Sequence, residues 1–267
     1  MEKLKAFYAK MNTGDKTWGG ILIILSLFLI FPSSREAFVK LTHGHYYPMS
    51  FLKFAVLATM GEMLAVRILN GDWRRPKGVL AKAVVWGVLG MLIALMFSVF
   101  NGGAKAVMAA GLLPGCGAFL TAFYTSTLMN ITFGPIMMGT HRITDTYIDR
   151  KIDRTEPATA IGAIEAVDWV GFIKFAVLKT VPFFWIPAHT LVFLLPPEFR
   201  VLASAYLSIV LGAMMAYIKK QAQLKAMADQ GVLTPPVEPP AASVPVETEK
   251  PAETADESKM AEKEELE

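Results

Sequence analysis

Six stretches of the chain are apolar on every face of the helix they would form. They cover residues 18–31, 48–69, 79–100, 106–139, 169–195 and 201–218. A helix on a soluble domain sets an apolar stripe against a polar face, and these stretches have no polar face. A hydrocarbon core about 30 Å thick takes roughly 20 residues of helix. The run 79–100 carries one charge, Lys82, and the run 106–139 carries none in 34 residues. The pattern predicts an all-α polytopic transmembrane helix bundle of about six spans over residues 17–220. In a four-span alternative, the short run 18–31 is a signal-like or interfacial helix and one Pro-broken run is re-entrant. No small-x-small site follows Phe31, so an uncleaved anchor is favoured over a removed signal.

The charges between the runs give an orientation. With six spans, one side receives Lys3, Lys5, Lys10 and Lys16, then Arg74, Arg75 and Lys77, then Arg142, Arg150, Lys151 and Arg154, then Lys219, Lys220 and Lys225. The other side receives Arg35, Lys40, Lys105 and Arg200. Basic residues collect on the cytoplasmic side, so both termini are expected there. The N-terminus contains Glu2 and Asp15 and is poor in Arg and Ser. It does not read as a transit peptide, and the expected location is the cytoplasmic membrane of a prokaryote.

Composition sharpens this picture. Of 267 residues, 54% are hydrophobic and 18% charged, with a net charge of +3. That excludes a disordered chain, and one cysteine, Cys116, excludes a disulfide scaffold and any cysteine-based metal centre. Residues 231–267 hold ten Asp+Glu against three Lys, leaving residues 1–230 with 23 Lys+Arg against 13 Asp+Glu. The Pro-, Ala- and Glu-rich segment 221–267 reads as a disordered, acidic, cytoplasmic tail, either a solvated appendage or a dock for a protein partner. The basic body reads as a membrane-surface feature; no nucleic acid is expected.

Certain residues recur in a recognisable order. Pro48 opens a span that reaches Gly61-Glu62 and then Arg67; Gly87 and Gly90 lie in the next; Trp185-Ile186-Pro187, Phe193 and Pro196 to Arg200 close the series. Over residues 48–218 this order resembles the Mpv-seventeen-type family of inner-mitochondrial and peroxisomal membrane proteins, in a divergent, prokaryotic-type form. Glu62 stands where that family has Asp, Arg67 where it has Gln, Met91 where it has Pro, and Met96-Phe97 where it has Trp-Tyr. The resemblance implies a small four-span helical bundle that acts as a pore or supports metabolite homeostasis, with no enzymatic chemistry.

Few ionisable groups fall inside the apolar runs. Glu62 is mid-span, where a carboxylate must face a wet cavity or other helices. It is either an ion- or proton-handling group or a hydrogen-bond tie between helices. Arg67, Lys53 and Lys82 are expected to snorkel to the membrane surface. His141, Asp145 and Asp149 fall at i, i+4 and i+8, on one helical face, with Arg142 close by. That face is a salt-bridged cap, a polar vestibule, or a divalent-cation site of one His and two carboxylates, the cap being favoured and no metal assigned. Gly134-Pro135 and Pro114-Gly115 are expected to kink the long run or turn part of it re-entrant. His189 is expected as a hydrogen-bonded interior histidine or, alternatively, a titrating gate. His43 and His45 form an H-x-H pair with only Glu36 nearby, too little for a metal site.

The chain has no Walker loop, dinucleotide fingerprint, H-E-x-x-H or G-x-S-x-G. The reading is therefore a non-enzymatic integral membrane protein. It forms a small pore or passive solute or ion pathway, or else is a non-conducting structural or accessory protein; an intramembrane enzyme comes last. Glu62, His141, Arg142, Asp145, Asp149 and His189 are the polar-cavity candidates. Lipid is the expected surrounding, homo-oligomers are compatible with the reading, and no cofactor is implied.

Overall fold

A computed structural model describes residues 11–154 and 158–229. The chain divides into two units, residues 1–222 and 223–267. The first is a helical bundle. The described helices are α1 (Thr13–Ile30), α2 (Pro32–Gly44), α3 (Tyr46–Asn70), α4 (Val79–Ala109), α5 (Ala118–Ile152), α6 (Ala160–Ala166), α7 (Trp169–Leu194) and α8 (Pro197–Asp229), which runs on past residue 222. The described residues contain no strand. Five helices, α1, α3, α4, α7 and α8, are long and apolar enough to cross a bilayer. The chain is an all-α, multi-pass integral membrane protein. The tail expected from residue 221 lies outside the described residues from 230 onward, while 221–229 continue α8. Residues 1–10 of the basic N-terminus also lie outside the described part.

All six apolar runs are helical, but one is divided. The run 106–139 is neither a single kinked span nor a span with a re-entrant piece. Its first residues complete α4, residues 110–117 turn the chain, and the remainder opens α5. Gly111, Gly115 and Gly117 adopt φ of +71°, +83° and +101°, which allow this turn where other side chains would strain it. Pro135 lies within α5, and the helix continues through it. α5 has 35 residues, about 52 Å of helix. Its Thr, Asn, His and Asp side chains keep it out of the apolar set.

Three features had no forecast in the hydropathy pattern: the short helix α6, the helix α2 and the winding of α7. α2 begins directly after α1 with Pro32 at its first turn, where the missing N–H costs nothing. In α7, residues Phe172–Trp185 wind as a π-helix that contains Pro182.

The core lies where α3, α4, α5, α7 and α8 meet, around Phe54, Leu57, Ile93, Ala94, Phe97, Met129, Phe193 and Val201. Two glycine contacts set the spacing. A Cβ on Gly90 would fall 2.6 Å from Cβ of Phe54, so that residue can sit flush on α4. A Cβ on Gly61 would fall 3.1 Å from Cα of Ile209, and one on Gly212 3.1 Å from the carbonyl oxygen of Gly61. The backbones of α3 and α8 therefore touch, as small residues permit inside membranes. The outer faces carry Ile21, Ile24, Phe28, Leu80, Val88, Ile131 and Phe183. That surface suits acyl chains.

Candidate functional site

Helix direction assembles the charged residues. α3 and α4 are joined by residues 71–78 and pack against each other, so Glu62, near the end of α3, lies level with Lys82 and Trp86 near the start of α4. α5 returns along α4 and brings its last turns, with His141, Asp145 and Asp149, to the same level. The indole Nε1 of Trp86 donates to Oε1 of Glu62 at 2.6 Å. The Trp86 and His141 rings lie 4.1 Å apart, centre to centre. Nε2 of His141 is 4.0 Å from Oε1 of Glu62 and 3.9 Å from Oδ2 of Asp145. Nζ of Lys82 is 3.0 Å from Oδ1 of Asp149 and 3.7 Å from Oδ2 of Asp145. Nδ1 of His141 and Oδ1 of Asp145 are buried without a hydrogen-bond partner. Glu62 faces other helices, its side chain 22% exposed.

Of the three cations expected to snorkel, Lys53 and Lys82 are buried instead, and Arg67 lies partly exposed at the end of α3. Lys82 is buried and holds the two aspartates. Lys53 is buried, donates to Oγ1 of Thr42 at 3.2 Å and lies over the Phe38 ring. Arg67 grips Asp15 with two nitrogens, Nε at 2.8 Å and Nη2 at 3.0 Å, and its Nη1 caps the end of α3 at the Gly71 carbonyl. Each pairing joins residues far apart in sequence or on different helices, which local spacing cannot reveal. Of the remaining candidates, Arg142 is exposed, and its backbone carbonyl accepts the Thr146 hydroxyl.

His189 belongs to a separate polar group, deep between α5, α7 and α8. Its Nδ1–H donates to Oδ1 of Asn130 at 3.1 Å, and its Nε2 accepts from the Ser204 hydroxyl at 3.1 Å. Asn130 in turn donates to the Ser126 carbonyl, and the Ser126 hydroxyl donates to the Ile186 carbonyl. Trp185 stacks on the imidazole, and Phe97 meets it edge-on.

A cavity of about 290 Å³ opens at the other end of α4, lined by residues that include Tyr46, Ser98, Asn101, Lys105 and Arg200. Asn101 donates from this cavity to Oγ1 of Thr125 at 3.3 Å. Lys82 and Asn101 are about 28 Å apart along the helix axis. Phe54, Leu57, Ile93 and Ala94 fill the space between the two ends.

Apolar length and the helical spacing of charged groups do not single out Trp86, Asn130, Ser204 or the partners of Asp15. One signal for Trp86 was there to be found: it lies four residues after Lys82, on the same face of α4.

No family model, curated protein or solved structure matches the chain.

Proposed function

We propose that the protein is a small pore, a passive pathway for a polar solute or ion. Its charged mouth is the cluster of Glu62, Lys82, His141, Asp145 and Asp149. One observation carries the reading: three helices turn these side chains toward one another inside the bundle. Ionisable groups inside membrane spans are rare, and they mark ion or solute routes. The resemblance of residues 48–218 to the Mpv-seventeen-type family points the same way. The cavity lined by Ser98, Asn101, Lys105 and Arg200 supplies the polar lining of the opposite end. The apolar side chains between the two ends then form the closed gate. The reading assigns no covalent chemistry to the chain.

Reconstituted vesicles test this. Flux of small polar solutes and ions should exceed that of empty vesicles, and Glu62→Gln should change its rate or selectivity. Correctly folded protein that leaves vesicles silent under every gradient and voltage refutes the pathway. A second reading, an accessory protein that passes nothing, is favoured by one fact: Lys82 bridges both aspartates as a structural tie would.

A further inference from the structure

We infer that Glu62, His141 and Asp145 form a binding site for a divalent transition-metal cation of the zinc or manganese class. The assignment goes beyond the pathway reading and stands whether or not solute crosses the bundle.

Geometry comes first. The three side chains each offer one donor atom, and these atoms lie within 4.8 Å of one another. Zinc–nitrogen and zinc–oxygen bonds are roughly 2.0–2.2 Å, which sets tetrahedral donors roughly 3.4 Å apart. The separations of 4.0 Å and 3.9 Å at Nε2 of His141 thus close on an ion by small rotamer shifts, with no movement of helices. One imidazole nitrogen with two carboxylate oxygens is a borderline donor set. It suits zinc, manganese or ferrous iron better than calcium, which takes oxygen ligands in larger number.

The second observation concerns unmet bonding capacity. Nδ1 of His141 and Oδ1 of Asp145 are buried without a hydrogen-bond partner. Nε2 of His141 faces two carboxylates, both beyond hydrogen-bond reach. A buried polar group without a partner is costly. An ion between Nε2 and the two carboxylates would give Nε2 the partner that neither acid supplies, and the unpartnered Oδ1 of Asp145 can become its ligand when that carboxylate turns.

Charge agrees. Glu62, Asp145 and Asp149 against Lys82 leave two negative charges in the cluster when His141 is neutral, and a divalent ion cancels them. Lys82 does not block the position. Its shorter contact is with Asp149, at 3.0 Å against 3.7 Å for Asp145, so the ammonium can remain on Asp149 while Asp145 turns to the metal.

Trp86 provides the readout, since it touches both Glu62 and His141. The full chain in detergent is titrated with Zn²⁺, and separately with Mn²⁺ and Ca²⁺, by calorimetry and tryptophan fluorescence. The expected result is one saturable Zn²⁺ site per chain and a fluorescence change that Trp86→Phe abolishes. Glu62→Gln and His141→Gln should each weaken binding about tenfold or more. Asp149→Asn should weaken it far less, and His43→Gln/His45→Gln should leave it unchanged. Lys82→Gln should tighten binding severalfold, a gain that a merely misfolded variant would not give. Absence of saturable Zn²⁺ binding overturns the site. So does binding of equal strength in the parent, Glu62→Gln and His141→Gln. Silent vesicles with Zn²⁺ binding intact would sink the pathway alone; conducting vesicles without Zn²⁺ binding would sink the metal site alone.

Discussion

The Trp86 indole and the Glu62 carboxylate, one helix apart, are joined by a 2.6 Å hydrogen bond. Together they place an acidic side chain in the bundle without an arginine or lysine in direct contact. The nearest cation in the cluster, Lys82, is engaged with Asp145 and Asp149. Trp86→Phe keeps an aromatic ring beside Phe54 and His141 but removes both the donor and the second ring of the indole, so only the comparison between backgrounds isolates the hydrogen bond. A buried acceptor that loses its partner costs about 1–3 kcal/mol. Trp86→Phe should therefore lower unfolding stability in detergent by at least that amount, the lost ring adding its own packing cost. In Glu62→Gln, the same tryptophan substitution should cost less, because a neutral amide replaces the carboxylate. Equal costs in both backgrounds would show that the bond contributes nothing specific.

Asp15 organises the start of α1. It completes a reciprocal cap with Asn12, takes two nitrogens of Arg67 and accepts from Nε1 of Trp73 at 2.8 Å. The pair ties α1 to the end of α3. It is partly exposed, at 26% for Arg67 and 18% for Asp15, so solvent weakens it. A double-mutant cycle of Asp15→Asn and Arg67→Met should return a coupling of about 1 kcal/mol, smaller at high salt. Coupling that is absent at low salt would reduce the pair to a surface contact.

Gly61 meets the backbone of α8 with no room to spare. In Gly61→Ala the new methyl would lie 3.1 Å from Cα of Ile209 and from the Ser208 carbonyl. Both neighbours are backbone and cannot rotate away, so the helices must part. Overpacking of this kind costs about 1–3 kcal/mol. Gly102→Ala, with open space around it on α4, is the control and should be neutral or stabilising by up to about 1 kcal/mol. Thermal unfolding of the two variants in the same detergent separates steric strain from the general effect of losing a glycine.

Apolar length alone made the bundle legible, because a lipid span leaves its mark in composition and needs no partner to be recognised. The division of the run 106–139 was hidden, since a turn built from Gly111, Pro114, Gly115 and Gly117 carries no charge to announce it. The His141–Asp149 face was visible from helical spacing. Its closure with Glu62 was not, because the two come from segments about eighty residues apart and meet only when α3 and α5 both pack on α4. Lys53 and Lys82 misled for the same reason: a lone cation in an apolar run looks like a snorkelling group until its partner arrives from another helix.

His189 tests whether the interior polar group is structural or belongs to the charged mouth. Its two hydrogen bonds join α5 and α8 through α7, and His189 and both partners are buried. His189→Ala strands the Asn130 carbonyl and the Ser204 hydroxyl and opens a void beside Phe97 and Trp185. Unpaired polar groups and a cavity together should cost about 2–5 kcal/mol. Along α5, Asn130 and His141 are about 16 Å apart, so the charged cluster should be undisturbed. The expected outcome is a large drop in unfolding temperature with the Zn²⁺ titration of Trp86 fluorescence unchanged wherever the variant is folded. A stable His189→Ala protein with altered Zn²⁺ affinity would mean that the two polar groups act as one unit, and that the apolar layer between them does not insulate them.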